Sequence, residues 1–187
     1  INELNVLNKK LVQKEKIIKN MAYYDNLTGL ANRPLFNKIS NKFLMEAKRN
    51  NYLLGLMFID ADRFKNVNDI YGHKKGDYVL SQIAAVLKKS TRKNDVIARY
   101  GGDEFLILLP NIKSKNNYKV ISSRIKKNKE KYINSEDENI NISLSIGVSF
   151  YPDDGDTVDE LIVAADKAMY AAKNQEGNDI SRCSIYI

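Results

Sequence analysis

Cysteine and histidine are almost missing from this sequence of 187 residues, which has one of each, Cys183 and His73. A lone cysteine excludes an intramolecular disulfide, and one histidine beside it leaves a zinc site of the usual Cys/His kind without a ligand set. Long apolar runs are missing too: no stretch of 18 or more apolar residues occurs, as a membrane-spanning helix would need. The opening "INELNVLNKKLVQKEK" has neither the apolar centre nor the cleavage site of a signal peptide. These absences lead us to expect a soluble, cytoplasmic piece with no direct membrane contact. A chain that starts at Ile1 reads as a fragment, with any sensory domain or membrane anchor in an upstream region.

What is present is enough for one core. With 43% hydrophobic residues, the length favours a single domain with an appendage. The net charge of +7 is local, because the window from Lys113 to Lys131 holds eight basic residues and one acid and the remainder balances. Within it, "NNYKVISSRIKKNKEKY" reads as a helix with Val120, Ile121 and Ile125 on one apolar face and lysines around it. No aromatic platform accompanies those lysines, so the window is read as a solvated helix face and no nucleic-acid partner is expected.

Along the chain, Leu4, Leu7, Leu11, Ile18 and Met21 fall on a heptad seam that Lys14 interrupts, which predicts a leading coiled-coil helix over residues 1–22. About three heptads are too few to be stable alone. In "DNLTGLANRPLF", Thr28-Gly29 marks a turn and Pro34 suits the first turn of a helix running to about Arg49. "YLLGLMFID" predicts a buried strand ending at Asp60. A helical region follows from about Phe64, interrupted at Gly72 and Gly76. After it come two strands joined as a hairpin, the basic helix, a strand "INISLSIGVSF", a helix "TVDELIVAADKAMYAAK" and a short strand "RCSIYI". Strands alternate with helices, but one strand pair is a direct hairpin. The expected fold is therefore α+β, a ferredoxin-like βαββαβ core with a mixed, largely antiparallel central sheet flanked by helices.

The hairpin "ARYGGDEFLILLP" raises a question of charge. Gly101-Gly102 is expected to supply the positive φ angles of a tight turn. Asp103 and Glu104 are not explained by that, since ionised carboxylates beside a core cost several kcal/mol, on the order of the desolvation penalty, unless paired or metal-bound. In a βαββ arrangement the first strand can lie next to the hairpin, bringing Asp60 close to Asp103. Two hard oxygen ligands at a strand end make an incomplete Mg²⁺ site, which waters and substrate phosphates complete. "FIDADRFKNVNDIYGHKKGDYVL" also crowds acids, amides, glycines and a lysine into one stretch, as a ligand site would.

Together "DNLTGLANR", "FIDADRFKNVNDIYGHKKGD", "RYGGDEF", "SIGVSFYPDDG" and "ADKAMYAAK" resemble, in order, the motifs of the GGDEF family of diguanylate cyclases, over residues 23 to 187. The resemblance implies a catalytic domain that condenses two GTP into cyclic di-GMP as a homodimer, with Mg²⁺ or Mn²⁺ as cofactor. It implies metal ligation by Asp60, Asp103 and the carbonyl of Ala61, and a role in activity for Glu104. Gly101 and Gly102 would let the backbone approach the nucleotide, with Phe64 beside it. Lys65 and Lys173 would face the phosphates. Asn68 and Asp77 match a guanine-reading pair: an Asp carboxylate can accept from N1–H and the exocyclic amine, which adenine does not offer. Arg92 and Asp95 reproduce the RxxD spacing of a product-inhibition site for cyclic di-GMP, with Arg124 as a second contact. One departure is plain. Glu176-Gly177 stands where the family has Gly-Arg or Gly-Lys, so a second phosphate cation is missing unless Arg182 supplies it. A catalytically weak domain that binds GTP or cyclic di-GMP as a regulatory module is the alternative implied by that gap.

Overall fold

Residues 2–132, 142–174 and 184–186 are described by the computed structural model. Its organising element is β1 (Leu53–Ala61), in which every residue after Leu53 is buried. A strand covered on both faces reads as a continuous apolar run, as "LLGLMFID" does. Around it the sheet has the order β2-β3-β1-β4-β5, with β2 Val96–Gly101, β3 Glu104–Ile112, β4 Leu144–Tyr151 and β5 Ser184–Tyr186. All four strand pairings are antiparallel. The parallel component of the expected mixed sheet is reduced, among the described residues, to an isolated bridge between Ala31 and Ala98.

Alternation along β1 sorts the helices into two layers. Met57, Ile59 and Ala61 point toward α3 (Phe64–Tyr71), α4 (His73–Ser90) and α5 (Asn117–Tyr132), meeting Val67, Val79, Ile83, Leu87, Ile121 and Ile125. Leu54, Leu56 and Phe58 point the other way, toward Phe36 and Leu44 of α2 (Arg33–Asn50) and Leu161, Ala165 and Met169 of α6 (Val158–Asn174). With α3 and α4 as the first crossover and α5 as the second, the expected βαββαβ core is present, and α2, α6 and β5 are the additions.

Two local expectations are corrected. Gly72 does separate α3 from α4, with φ +81°, but Gly76 lies buried inside α4 and does not interrupt it. A Cβ there would stand 1.9 Å from Asn68 Oδ1, so Gly76 is the gap that lets α3 close onto α4. On α5, Ile121 and Ile125 are buried as expected, whereas Val120 is 52% exposed. The inward face is completed instead by Tyr118, Ser122 and Lys129, at helical spacing from Ile121 and Ile125.

The leading helix α1 (Asn2–Tyr23) presents Leu7, Leu11, Ile18 and Met21 to solvent, each more than half exposed; the side chain of Leu4 lies outside the described ones. The chain then turns at Thr28-Gly29, where Gly29 has φ +63°. Asn32 caps α2 by accepting from Leu35 N–H at 3.1 Å, and Pro34 occupies the first turn.

The tightest seam is between β4 and α6. A Cβ on Gly147 would stand 1.9 Å from the Ala165 carbonyl oxygen and 2.2 Å from the Met169 nitrogen, both backbone atoms. Gly147→Ala is therefore expected to force α6 off the sheet, costing about 3 kcal/mol, measured as a lower urea midpoint at unchanged slope.

Candidate active site

The C-terminal end of β1 gathers the predicted carboxylates. Register sets Asp60 opposite Glu104 on β3 and Ser145 on β4. The N–H of Ala61 donates to the carbonyl of Asp103 at 3.2 Å, tying the β2–β3 turn to the strand end. Asp60 is only 9% exposed, and Lys173 of α6 donates to its Oδ1 at 2.6 Å.

Crowding shows in the acidities. Burial pushes the Asp103 carboxyl up, the neighbouring Asp60 charge adds to this, and Lys173 and Arg99 offset only part. Glu104 is raised for the same reasons, burial first and then Asp103, Asp60 and Asp166, with Arg33 opposing. For Lys173, burial alone would lower the ammonium, but the hydrogen bond to Asp60 and the charges of Asp60, Asp62 and Asp103 outweigh it and raise the pKa. Carboxyls raised by burial and by one another's charge are short of positive charge, as the acids of a divalent-cation site are. Among the described residues no three His, Cys, Asp or Glu side chains converge as a complete ligand set. The donor set is instead two hard carboxylates with a backbone carbonyl nearby, suited to a cation that keeps water and substrate oxygens.

Beside these acids opens a cleft of about 350 Å³ lined by Phe64, Lys65, Asn68, His73, Asp77, Leu80, Arg99, Gly102 and Asp103. A larger cleft, about 870 Å³, lies between α5, β4 and α6; it contains none of the carboxylates, so the smaller one is the candidate. Arg63, in a left-handed conformation at φ +55°, turns the chain from β1 into α3 and so aims Phe64, Lys65 and Asn68 at this cleft. Such backbone strain collects at functional sites.

Gly101 and Gly102 behave differently from expectation. Neither has a positive φ; the positive-φ glycines are Gly29 and Gly72. A register shift between Arg99 and Gly101 takes up the strand twist that a primed turn would otherwise accommodate. What the glycines supply is room, since a Cβ at Gly102 would meet nothing within 4 Å and that face borders the cleft.

The predicted RxxD group closes into a turn on the far side of β2: Asp95 Oδ2 accepts from Arg92 N–H at 2.7 Å. Burial raises the Asp95 carboxyl, and the backbone bond to Arg92 and the charges of Arg92 and Arg124 offset only part of this. Glu176, Gly177 and Arg182 lie outside the described residues.

Three features were not read from the sequence. Lys173 is paired with Asp60, which only the packing of α6 on β1 reveals. Asp62 is buried against Ser145, whose hydroxyl donates to its Oδ1 at 2.8 Å. Arg99 bridges two motifs: its Nη1 reaches Asp25 at 3.2 Å, and its Nε and Nη2 donate to the Gly102 carbonyl at 2.9 and 2.8 Å. Asp25 also accepts from Thr28 N–H and Oγ1–H at 2.8 and 2.6 Å. The "DNLT" and "RYGG" signals were visible, but not the contact between Asp25 and Arg99, 74 residues apart.

The raised acidities have a consequence for stability. A carboxyl whose pKa lies higher in the folded chain than in the unfolded one stabilises the fold while protonated, and that contribution is lost as pH rises through the raised value. Asp103→Asn is therefore expected to raise the apo melting temperature at pH 7 by about 2 °C, a modest value because the group keeps partial contact with solvent. The gain should disappear below about pH 4, as thermal melts at both pH values will show.

Comparison with known proteins bears on the family and the fold. The family model described as "Diguanylate cyclase, GGDEF domain" matches residues 22–179. The chain is 37% identical, over 93% of its length, to the bifunctional diguanylate cyclase/cyclic di-GMP phosphodiesterase MucR of Pseudomonas aeruginosa, and covers 25% of that protein. It is 36% identical, over 94% of its length, to the diguanylate cyclase TpbB of the same species, and covers 40% of it. It thus spans less than half the length of these curated relatives. Among solved structures, the coiled coil and GGDEF domain of DgcB from Caulobacter crescentus, in complex with c-di-GMP, superposes with a TM-score of 0.77 at 25% identity, covering 95% of this chain and 94% of that one. The motifs, the sheet order and the family match converge, and the chain belongs to the GGDEF domain family.

Proposed function

We propose that this chain is the catalytic part of a diguanylate cyclase, with residues 23–187 as the catalytic domain and the leading helix as the end of a signalling linker. Two GTP molecules, one on each of two copies, condense into cyclic di-GMP. Each 3′-hydroxyl loses its proton and attacks the α-phosphorus of the other nucleotide, and the bond to the pyrophosphate leaving group breaks. The observation that carries this reading is the juncture of the Asp60, Ala61 and Asp103 strand ends with a cleft lined by Asn68 and Asp77.

In this reading Asp60, Asp103 and the Ala61 carbonyl hold a divalent cation, Mg²⁺ or Mn²⁺. Such an ion supplies charge neutralisation at the phosphates and lowers the pKa of an oxygen bound to it. The chain's own residues do the rest. Asp77 accepts from guanine N1–H and N2–H, and Asn68 pairs with the opposite edge of the base, so ATP is disfavoured because its N1 is an acceptor. Lys65 and Lys173 supply cations toward the triphosphate. Glu104, whose carboxyl is pushed up by burial and then by the charges of Asp103, Asp60 and Asp166, stands beside the cation site. Gly76 keeps Asn68 in place, because any side chain there would displace the amide.

The exposed seam of Leu7, Leu11, Ile18 and Met21 is suited to a second copy of α1, and such pairing would bring two half-sites into opposition. Arg92, Asp95 and Arg124 form the site where cyclic di-GMP inhibits. The missing cation at Gly177 lowers affinity for the triphosphate without removing the metal ligands.

Incubation of the chain at high concentration with GTP and Mg²⁺ should yield cyclic di-GMP and pyrophosphate, identified by mass spectrometry. Product from the native chain that is absent with Asp103→Asn supports the assignment; turnover retained in that variant overturns the metal role of Asp103. Gly76→Ala should melt within a few degrees of the native chain, since Ala favours a helix by about 0.5–1 kcal/mol, yet bind a fluorescent GTP analogue about tenfold more weakly. Arg92→Ala should leave initial rates unchanged and relieve inhibition by added cyclic di-GMP; unchanged inhibition would remove that site from the account.

A further inference from the structure

Asp62 is the one carboxylate at the end of β1 that the reading above leaves without a task. Its side chain is 6% exposed, and its N–H donates to the Ser143 carbonyl at 2.9 Å, fastening it to the start of β4. Oδ1 accepts from Ser145 Oγ at 2.8 Å, whereas Oδ2 is buried without a hydrogen-bond partner. A buried carboxylate satisfied by one hydroxyl is costly to keep unless a cation can reach it. Two lysines face it. Lys129 of α5 donates to the Ile142 carbonyl at 2.8 Å and adds its charge from there. Lys173 of α6 has its Nζ 4.0 Å from Asp62 Oδ1 and 2.6 Å from Asp60 Oδ1.

Lys173 therefore occupies the oxygen that a divalent cation would take. A dication and an ammonium cannot share that carboxylate at close range without strong repulsion, so binding of one requires movement of the other. Asp62 offers the ammonium a place to go, since closing a 4.0 Å separation to hydrogen-bond length takes a shift of about 1 Å.

We propose that Asp62 is a positioning residue that takes over the Lys173 ammonium when a divalent cation binds Asp60, keeping that charge beside the cleft instead of releasing it to solvent. The inference rests on the assignment of Asp60 and Asp103 to the cation. Ser145 fixes the orientation of Asp62 through Oδ1, the oxygen nearest Lys173, which has a second lone pair to accept the ammonium. Without Asp62 the ammonium displaced from Asp60 by the cation has no buried acceptor to move to and swings out to solvent.

The test is a Mg²⁺ titration without nucleotide, following the lysine ammonium signals of ¹⁵N-labelled protein by NMR, with Lys173 assigned by its loss in Lys173→Met. In the native chain the Lys173 signal should shift on Mg²⁺ binding yet remain visible, as a bonded ammonium does. In Asp62→Asn it should be present before Mg²⁺ and vanish into solvent exchange on its addition, with Mg²⁺ affinity about fivefold lower. Asp62→Ser, which keeps a partner for Ser145, replaces Asp62→Asn if the latter melts too low. Loss of the native signal on Mg²⁺ binding, as expected if Asp62 were itself a ligand, overturns the proposal, as does a signal that persists unchanged in the Asp62 variants. A native spectrum that Mg²⁺ never perturbs overturns the cation assignment itself, and this inference with it.

Discussion

The hydrogen bond from Ala61 N–H to the Asp103 carbonyl decides where the chemistry can occur. It is the last rung at the end of the β1·β3 ladder, which runs in continuous register from Gly55↔Leu109 to Asp60↔Glu104. Because that ladder lies at the centre of the sheet, with Leu56, Met57, Ile59 and Ile107 fully buried, the separation of Asp60 from Asp103 is set by core packing and not by the preferences of a loop. A one-residue slip would turn every core side chain to the wrong face. The fold thus fixes two mutually repelling carboxylates at a spacing they would not choose.

That repulsion accounts for the surrounding charge. Burial is the first cause that raises the Asp103 and Glu104 carboxyls, and the charges of Asp60 on both, and of Asp103 and Asp166 on Glu104, add to it at one end of the sheet. Among the described residues the cation in direct contact with Asp60 is Lys173, delivered by the last turn of α6. It can reach Asp60 because α6 packs on β4 with no side chain at Gly147 to hold it off. A stability demand (close helix-sheet contact) and an electrostatic demand (a lysine at the carboxylates) are met by the same glycine. The arrangement is only partly neutralised, and it has room to bind more positive charge.

Much of this was legible in the sequence, for identifiable reasons. The βαββαβ order followed from apolar runs separated by helical periodicity, and the hairpin from two glycines between such runs. Of the residues that line the cleft, Phe64, Lys65, Asn68, Asp77, Gly102 and Asp103 were named through the resemblance to the GGDEF motifs, whereas His73, Leu80 and Arg99 were not named as site residues. The errors concern properties that spacing does not carry. Gly101 and Gly102 were assigned a conformational task because a two-residue hairpin loop ordinarily needs one; the bulge before Gly101 removed that need, and bulges leave no sequence signature here. Gly76 was read as a break because glycine disfavours helices, but contact with Asn68 outweighed the modest propensity cost. Val120 was put on the buried face of α5 because a valine next to Ile121 looks apolar from any direction, while the sheet selects a face at helical spacing. Pairings such as Lys173 with Asp60, 113 residues apart, depend on how two distant elements dock.

The same limit applies to Arg99, and its geometry joins the two ends of the molecule. Asp25 follows α1 after one residue and is held down by both Thr28 and Arg99, which together keep its carboxyl below the usual range although burial pushes the other way. The other edge of the Arg99 guanidinium grips the carbonyl of Gly102, the residue before Asp103. From the base of the leading helix to the carboxylate turn the path is one ion pair and one carbonyl, with both partners less than a quarter exposed. A planar guanidinium bonded along two edges resists rotation more than a lysine would, because its donors are fixed relative to one another. Any rotation of α1 that moves Asp25 must therefore either break that pair or carry the Gly102–Asp103 turn with it. The turn is in turn held by Ala61, so the base of α1 and the carboxylate turn share one hydrogen-bonded path.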